Sequence, residues 1–164
     1  MTDQDVAFED QVVDILLVED NPDDVELALL ALEEHNVANR IHVVRDGVEA
    51  LDFIFNRGAY ENQRSNEGLK LILLDLKLPL LDGLEVLREI KSDTRTRRIP
   101  VVMMTSSDEE SDRLRSYDLG VNSYIVKPVD FEQFTETMRS LGYYWLLLNA
   151  RPPARPAEPP PDRP

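Results

Sequence analysis

Four short apolar runs in this sequence stop on residues that ionise or donate hydrogen bonds. Val12–Val18 is followed by Glu19-Asp20, Leu69–Leu74 by Asp75 and Ser123–Val126 by Lys127-Pro128, while Val101–Thr105 ends on Thr105-Ser106. If these runs are neighbouring strands, three carboxylates, a hydroxyl and an amine meet on one edge. Close carboxylates repel by roughly 1–4 kcal/mol per pair at partly exposed dielectric, and a divalent cation turns that repulsion into attraction. Mg2+ suits such a set, because it keeps several waters and takes one or two carboxylates together with phosphate oxygens. Beside it a carboxylate can attack phosphorus and become an aspartyl phosphate, with the hydroxyl and the ammonium binding the remaining oxygens. Taken singly, each residue has an ordinary reading as a cap or a solvated surface group. Their coincidence at four strand ends carries the chemical reading.

The elements that must position them are set by the hydrophobic pattern. Val12–Val18 is rich in β-branched residues and reads as a buried strand; from Asp23 to about Asn36 the apolar positions follow a mainly helical period, with Asn21 or Asp23 as N-cap. The alternation continues with strands at 41–45, 69–74, 101–105 and 123–126 and helices at 46–56, 84–91, 108–118 and from Phe131 to Leu141 or beyond. The polar stretch 57–68 reads as a surface loop. Five strands alternating with five helices predict an α/β, doubly wound parallel sheet, since parallel strands need crossovers and both faces must be covered. Ligands of such sheets bind beyond the carboxyl ends of the strands, which is where the reactive residues fall.

Length and composition narrow the reading. With 164 residues, one core is expected. Residues 1–11 read as a disordered leader, 12–150 as the folded domain and 151–164, with seven of the eleven prolines, as an extended or disordered tail. The net charge of -14 disfavours nucleic acid and anionic lipid. Absence of cysteine excludes disulfides, thiolate metal sites and cysteine nucleophiles, and His35 and His42 alone make zinc a poor candidate. No apolar run approaches the ~20 residues that span a bilayer, so a cytoplasmic location and no membrane partner are expected.

LLVEDN at 16–21, LLDLKLPLLDG at 73–83, VVMMTSS at 101–107 and SYIVKPVD at 123–130 together resemble the response-regulator receiver domain, the family of the bacterial chemotaxis regulator. The resemblance implies the flavodoxin-like strand order 2-1-3-4-5. It also implies that Asp75 accepts a phosphoryl group from a histidine kinase, with Mg2+ held by Asp20, Asp75 and the carbonyl of Lys77, and with Glu19 acting through metal-bound water. Thr105 and Lys127 would bind phosphoryl oxygens, Tyr124 would move inward as an aromatic switch, and Pro128 would follow a cis peptide. A receiver is a phosphoacceptor that assists its own phosphotransfer and hydrolysis, not an enzyme with an external substrate. A non-phosphorylated pseudo-receiver, an interaction module only, is the alternative.

Other classes fit less well. A flavodoxin-like electron carrier needs a hydroxyl- and glycine-rich phosphate loop where this chain has Glu19-Asp20, and a haloacid-dehalogenase-like phosphatase needs a second aspartate where Lys77 stands. Lys77 could shield the phosphoryl group or compete for it. The extra length near 57–68 and the run Tyr143–Leu148 resemble stand-alone regulators that partner bacterial phytochromes and related sensor kinases. Signalling would then pass by protein contact or by relay to a downstream phosphotransfer protein. Phe131, Phe134, Met138 and Leu141 are expected to bury one helical face. Tyr143–Leu148 cannot all face that core, which predicts a homodimer through the Phe131–Leu148 region.

Overall fold

The computed structural model describes residues 13–33, 40–64, 66–128, 130–150 and 153; the expected leader, His35 and nearly all of the expected tail lie outside them. Five parallel strands form one sheet in the order β2-β1-β3-β4-β5. They are β1 Ile15–Val18, β2 Ile41–Val44, β3 Leu71–Leu74, β4 Val101–Thr105 and β5 Ser123–Val126. The helices between and after them are α1 Pro22–Glu33, α2 Gly47–Ile54, α3 Gly83–Ser92, α4 Glu110–Asp118 and α5 Phe131–Tyr143. The strand order and the five helices are those expected.

The central strands β1, β3 and β4 are buried throughout, so their side chains feed both faces of the sheet. One face packs Leu16, Val18, Ile72, Leu74 and Met103 against Ala50, Phe53, Ile54, Val86, Leu87 and Ile90 of α2 and α3. The other packs Ile15, Leu17, Leu71, Leu73, Val102 and Met104 against Val25, Ala28, Leu32, Phe134 and Met138 of α1 and α5. Alternation along each strand delivers successive residues to opposite layers.

Caps set the helix starts. Asn21 Oδ1 accepts the amides of Asp23 (2.9 Å) and Asp24 (3.3 Å), so Asn21, not Asp23, begins α1. Asp46 caps α2 through Glu49 N–H (2.7 Å), Asp82 caps α3 through Glu85 N–H (3.0 Å) and Asp130 caps α5 through the amides of Glu132 and Gln133 (2.8 and 3.2 Å).

Two expectations are corrected. The stretch 57–68 is not simply a polar loop: Gly58–Tyr60 form a 3-10 turn, and Tyr60 stands edge-on to His42 and Phe53. Its hydroxyl donates to Glu49 Oε1 (3.2 Å) and lies 2.7 Å from His42 Nε2, so one aromatic pins the segment to β2 and α2. Phe131 is 56% exposed although Phe134 and Met138 are buried and Leu141 partly so. As the first residue of α5 its side chain leans back past the helix start, away from the face that Phe134 and Met138 bury. The run after α5 divides as expected, continuing as a π-helical turn at Tyr144–Leu148 in which Trp145 and Leu146 fold back on the α1/α5 layer while Tyr144, like Tyr143 before it, is half exposed.

Lys91 ties α3 to the β4 entry and the turn before β5. Its ammonium donates to the carbonyls of Arg97 (3.1 Å) and Ile99 (2.9 Å) and to Asn122 Oδ1 (3.2 Å). Burial pushes the group down to about 8. Between that value and the ordinary value of 10.5 the unfolded chain holds a proton that the folded chain has released, so stability gains with rising pH in this window. Urea denaturation at pH 8 and pH 10 should show this gain in the wild type, and a smaller one in Lys91→Met; equal gains would show the ammonium to be unstrained.

Candidate functional site

The parallel register brings the site together. Val18 pairs with Leu74 and Leu74 with Met103, and Thr105 pairs with Val126. Glu19, Asp75 and Lys127 therefore follow β1, β3 and β5 by one residue each. The ladder extends through them, as Glu19 N–H donates to Val44 O (3.0 Å), Asp75 N–H to Val18 O (3.1 Å) and Lys127 N–H to Thr105 O (2.7 Å). Glu19, Asp75 and Thr105 are buried and Asp20 is exposed.

Carboxylate oxygens of Glu19, Asp20 and Asp75 lie within 4.8 Å of one another. Such an all-oxygen group, one member open to solvent, has the chemistry of a hard divalent cation site, in which water completes the coordination. Lys127 Nζ donates to Glu19 Oε2 (2.5 Å), Asp24 Oδ2 (2.8 Å) and Asp75 Oδ2 (3.1 Å). The other oxygen of Asp75 accepts the Lys77 amide (3.3 Å), and the Lys77 side chain is exposed at the rim.

Burial, reinforced by the charge of Asp75 and opposed by the hydrogen bond from Lys127, pushes the Glu19 carboxyl up to about 7. Burial also pulls at the Lys127 ammonium, but hydrogen bonds to Asp24 and Glu19 and the charge of Asp75 outweigh it and hold the group above its ordinary value.

Gly83 lets the β3–α3 connection close against the site: its N–H donates to Leu76 O (2.7 Å), and a β-carbon there would collide with the Asp75 carbonyl oxygen. On the far side, Thr105 Oγ1 accepts the Ser107 amide (3.2 Å), and the Ser107 carbonyl accepts the Tyr124 hydroxyl (2.9 Å). Tyr124 is thus already half-buried against the core.

The structure gathers Glu19, Asp20, Asp75 and Lys127, with the Lys77 backbone beside Asp75 and Thr105 at the neighbouring strand end. One expectation fails: among the described residues no peptide is cis, so Pro128 leaves β5 through the trans bond that X-Pro peptides favour by about 0.5–1 kcal/mol. Two residues escaped the sequence reading. Asp24 reads as an acid favoured by the N-terminal dipole of α1, and only the doubled pair Asp23-Asp24 after EDN hinted at more. Ser107 reads as loop; its side chain donates to Asp112 Oδ2 (2.7 Å).

A family model described as the response regulator receiver domain matches residues 15–139. The chain belongs to this family. It is 40% identical over 141 residues to response regulator Rcp1 of Synechocystis sp., covering 85% of this chain and 93% of that protein. The crystal structure of the Mn2+-bound form of Rcp1 matches with a TM-score of 0.79 at 38% identity, covering 85% of this chain and 98% of that one. The phosphorylated cyanobacterial phytochrome response regulator RcpA matches at 0.80 and 41%, covering 87% and 100%. The bacteriophytochrome response regulator AtBRR matches at 0.67 and 53%, covering 85% and 99%. The chain thus resembles the stand-alone regulators of phytochrome-type sensors.

Lys127 is the counter-charge for three carboxylates, and its removal leaves them facing one another. Lys127→Met should destabilise the fold by about 3 kcal/mol in urea denaturation. A loss under about 1 kcal/mol would show that the carboxylates need no lysine.

Proposed function

We propose that this receiver accepts a phosphoryl group on Asp75 from the phosphohistidine of a sensor kinase of the phytochrome type. It acts in the cytoplasm and signals by protein contact or relay. The observation that carries this reading is the convergence of Glu19, Asp20 and Asp75 beneath Lys127, with Thr105 buried at the adjacent strand end. In the transfer, an Asp75 oxygen bonds to phosphorus as the P–N bond breaks, and the imidazole nitrogen leaves with the electron pair and takes a proton. Asp20, Asp75 and the Lys77 carbonyl would hold Mg2+, with Glu19 acting through a bound water. The ion supplies neutralisation of the charge on the transferring oxygens. Lys127, already 3.1 Å from Asp75, needs only a short movement to pair with a phosphoryl oxygen, and the Thr105 hydroxyl donates to another. Rcp1 with Mn2+ and phosphorylated RcpA support the reading as chemistry found in relatives.

Labelling with acetyl phosphate and Mg2+ should add one phosphoryl group to the wild type and none to Asp75→Asn, which preserves volume but cannot form the acyl phosphate. Intact-mass measurement reads the result; an adduct on the variant would exclude Asp75 as acceptor, and an unlabelled wild type would favour the interaction module. Asp20→Asn should weaken Mg2+ binding tenfold or more, and unchanged affinity would remove Asp20 from the ligand set. Phosphotransfer profiling against the kinases of its genome identifies the donor.

We also infer a homodimer through α5 and the turn after it, supported by the exposure of Phe131, Tyr143 and Tyr144. Replacement of both tyrosines by serine should shift light-scattering mass toward the monomer. A wild type that is monomeric at high micromolar concentration would overturn the dimer.

A further inference from the structure

At the end of the sheet away from Asp75, arginines gather on a chain whose net charge is -14. The connection from α3 to β4 carries Arg95, Arg97 and Arg98, and Arg57 follows the end of α2. The guanidinium carbons of Arg57 and Arg95 each lie 5.3 Å from the centroid of the Phe55 ring, so one aromatic joins the two segments into a single face. The connection is held in place: the buried Thr96 hydroxyl donates to Ile90 O (2.7 Å), and the Lys91 ammonium donates to the Arg97 carbonyl (3.1 Å). Asp93 pairs with Arg95 at 2.8 Å and Asp52 with Arg57 at 3.8 Å. Arg97 and Arg98 are exposed and form no ion pair among the described residues.

The chain enters the fold beside these arginines. Ile15 pairs with Leu71 and Ile72 with Val101, and one residue before β1 the Lys70 N–H donates to Asp14 O (2.9 Å) while its ammonium pairs with the Asp14 carboxylate (3.5 Å). The same register sets Ile99 abreast of Lys70. Asp14 therefore stands two strand spacings, about 10 Å, from Ile99 and the arginine before it. Val13, Phe55 and Ile99 also pack against one core layer, so the chain comes in on the side where the arginines stand. Residues 1–12 hold Asp3, Asp5, Glu9 and Asp10 and no basic side chain. Glu9 and Asp10 precede Asp14 by five and four residues, a reach of about 13–18 Å in extended chain.

We propose that residues 1–12 dock on this arginine face within the same molecule, with Glu9 and Asp10 meeting Arg97 and Arg98. Charge, reach and the side on which Val13 packs all select this occupant. An uncovered arginine face would attract the acidic surfaces of other copies of the chain. A tethered acidic segment meets the face at an effective concentration of about millimolar and so withholds it from them. The contact is made by exposed charges, whose Debye length falls from about 10 Å at 0.1 M salt to about 3 Å at 1 M. Salt should therefore release the segment while the folded domain stays intact.

The chain has no cysteine, so Gln4→Cys gives the full-length protein one attachment point for a nitroxide. At about 0.05 M NaCl, where screening is weak, the label should broaden the NMR signals of the Arg97, Arg98 and Ile99 amides at least fivefold more than those of Asp108 and Glu109, beyond the other end of β4. The difference should vanish at about 1 M NaCl. It should vanish equally when the leader carries Asp3→Asn, Asp5→Asn, Glu9→Gln and Asp10→Asn together, a variant that alters no residue of the folded domain, and when Arg97→Gln and Arg98→Gln are combined. Equal broadening at both ends of β4 overturns the proposal, and so does a difference that survives neutralisation of the leader. In a mixture of nitroxide-bearing chains with isotope-labelled chains that carry no nitroxide, the reporting amides should stay sharp. Broadening there would place the leader on a second copy and overturn docking within one molecule.

Discussion

Three carboxylates and one ammonium, drawn from four separate elements of the chain, share a single partly buried space, and most of what is specific in this fold serves to bring them there. Lys127 contacts Glu19, Asp24 and Asp75 at once. Such a cluster is stable only if the strands that deliver it hold register, because a one-residue slip would send each side chain to the opposite face. The register is enforced from beneath, where β1, β3 and β4 are buried in both layers. The apolar core and the charged edge are thus one constraint seen from two ends.

The excess of negative charge also explains why the lysine has its proton held so firmly while Glu19 is pushed toward neutrality. Burial acts against the charged form of each, but only the lysine has opposite charges around it in number. A divalent cation at Glu19, Asp20 and Asp75 would take over part of the lysine's role. Lys127 would then be freer to meet an incoming phosphoryl oxygen.

The parallel sheet and the identity of the strand-end residues were legible because period and composition agree there: apolar runs stop on ionisable or hydroxyl residues, and helical patterns follow; the strand order came with the resemblance that the four motifs carry. The residues that escaped depend on three-dimensional neighbours. Asp24 looks like a helix-dipole acid until α1 packs on α5 and Lys127, just after β5, reaches its carboxylate. Tyr60 looks like a loop residue until His42 and Phe53 stand next to it. Phe131 fits the helical spacing of the buried face, yet it is the first residue of α5 and stays exposed. A trans bond before Pro128 is likewise a property of the turn as built, and the sequence permits either isomer.

Ser107 shows how the pocket connects to the surface. Its amide donates to Thr105 Oγ1, its carbonyl accepts from Tyr124 and its hydroxyl donates to Asp112 on α4. A hydroxyl has one donor and two acceptor positions, so Thr105 can donate to a phosphoryl oxygen without surrendering the Ser107 amide, provided that the loop moves with it. Such a movement would be felt by Tyr124 on β5 and by α4 together. Helix α4 offers little resistance, since Ser116 is its one buried residue and Leu114 and Tyr117 face solvent. A weakly anchored helix is therefore tied by a hydrogen bond to the loop after Thr105, and a small change at Asp75 that moved this loop would reach a distant face.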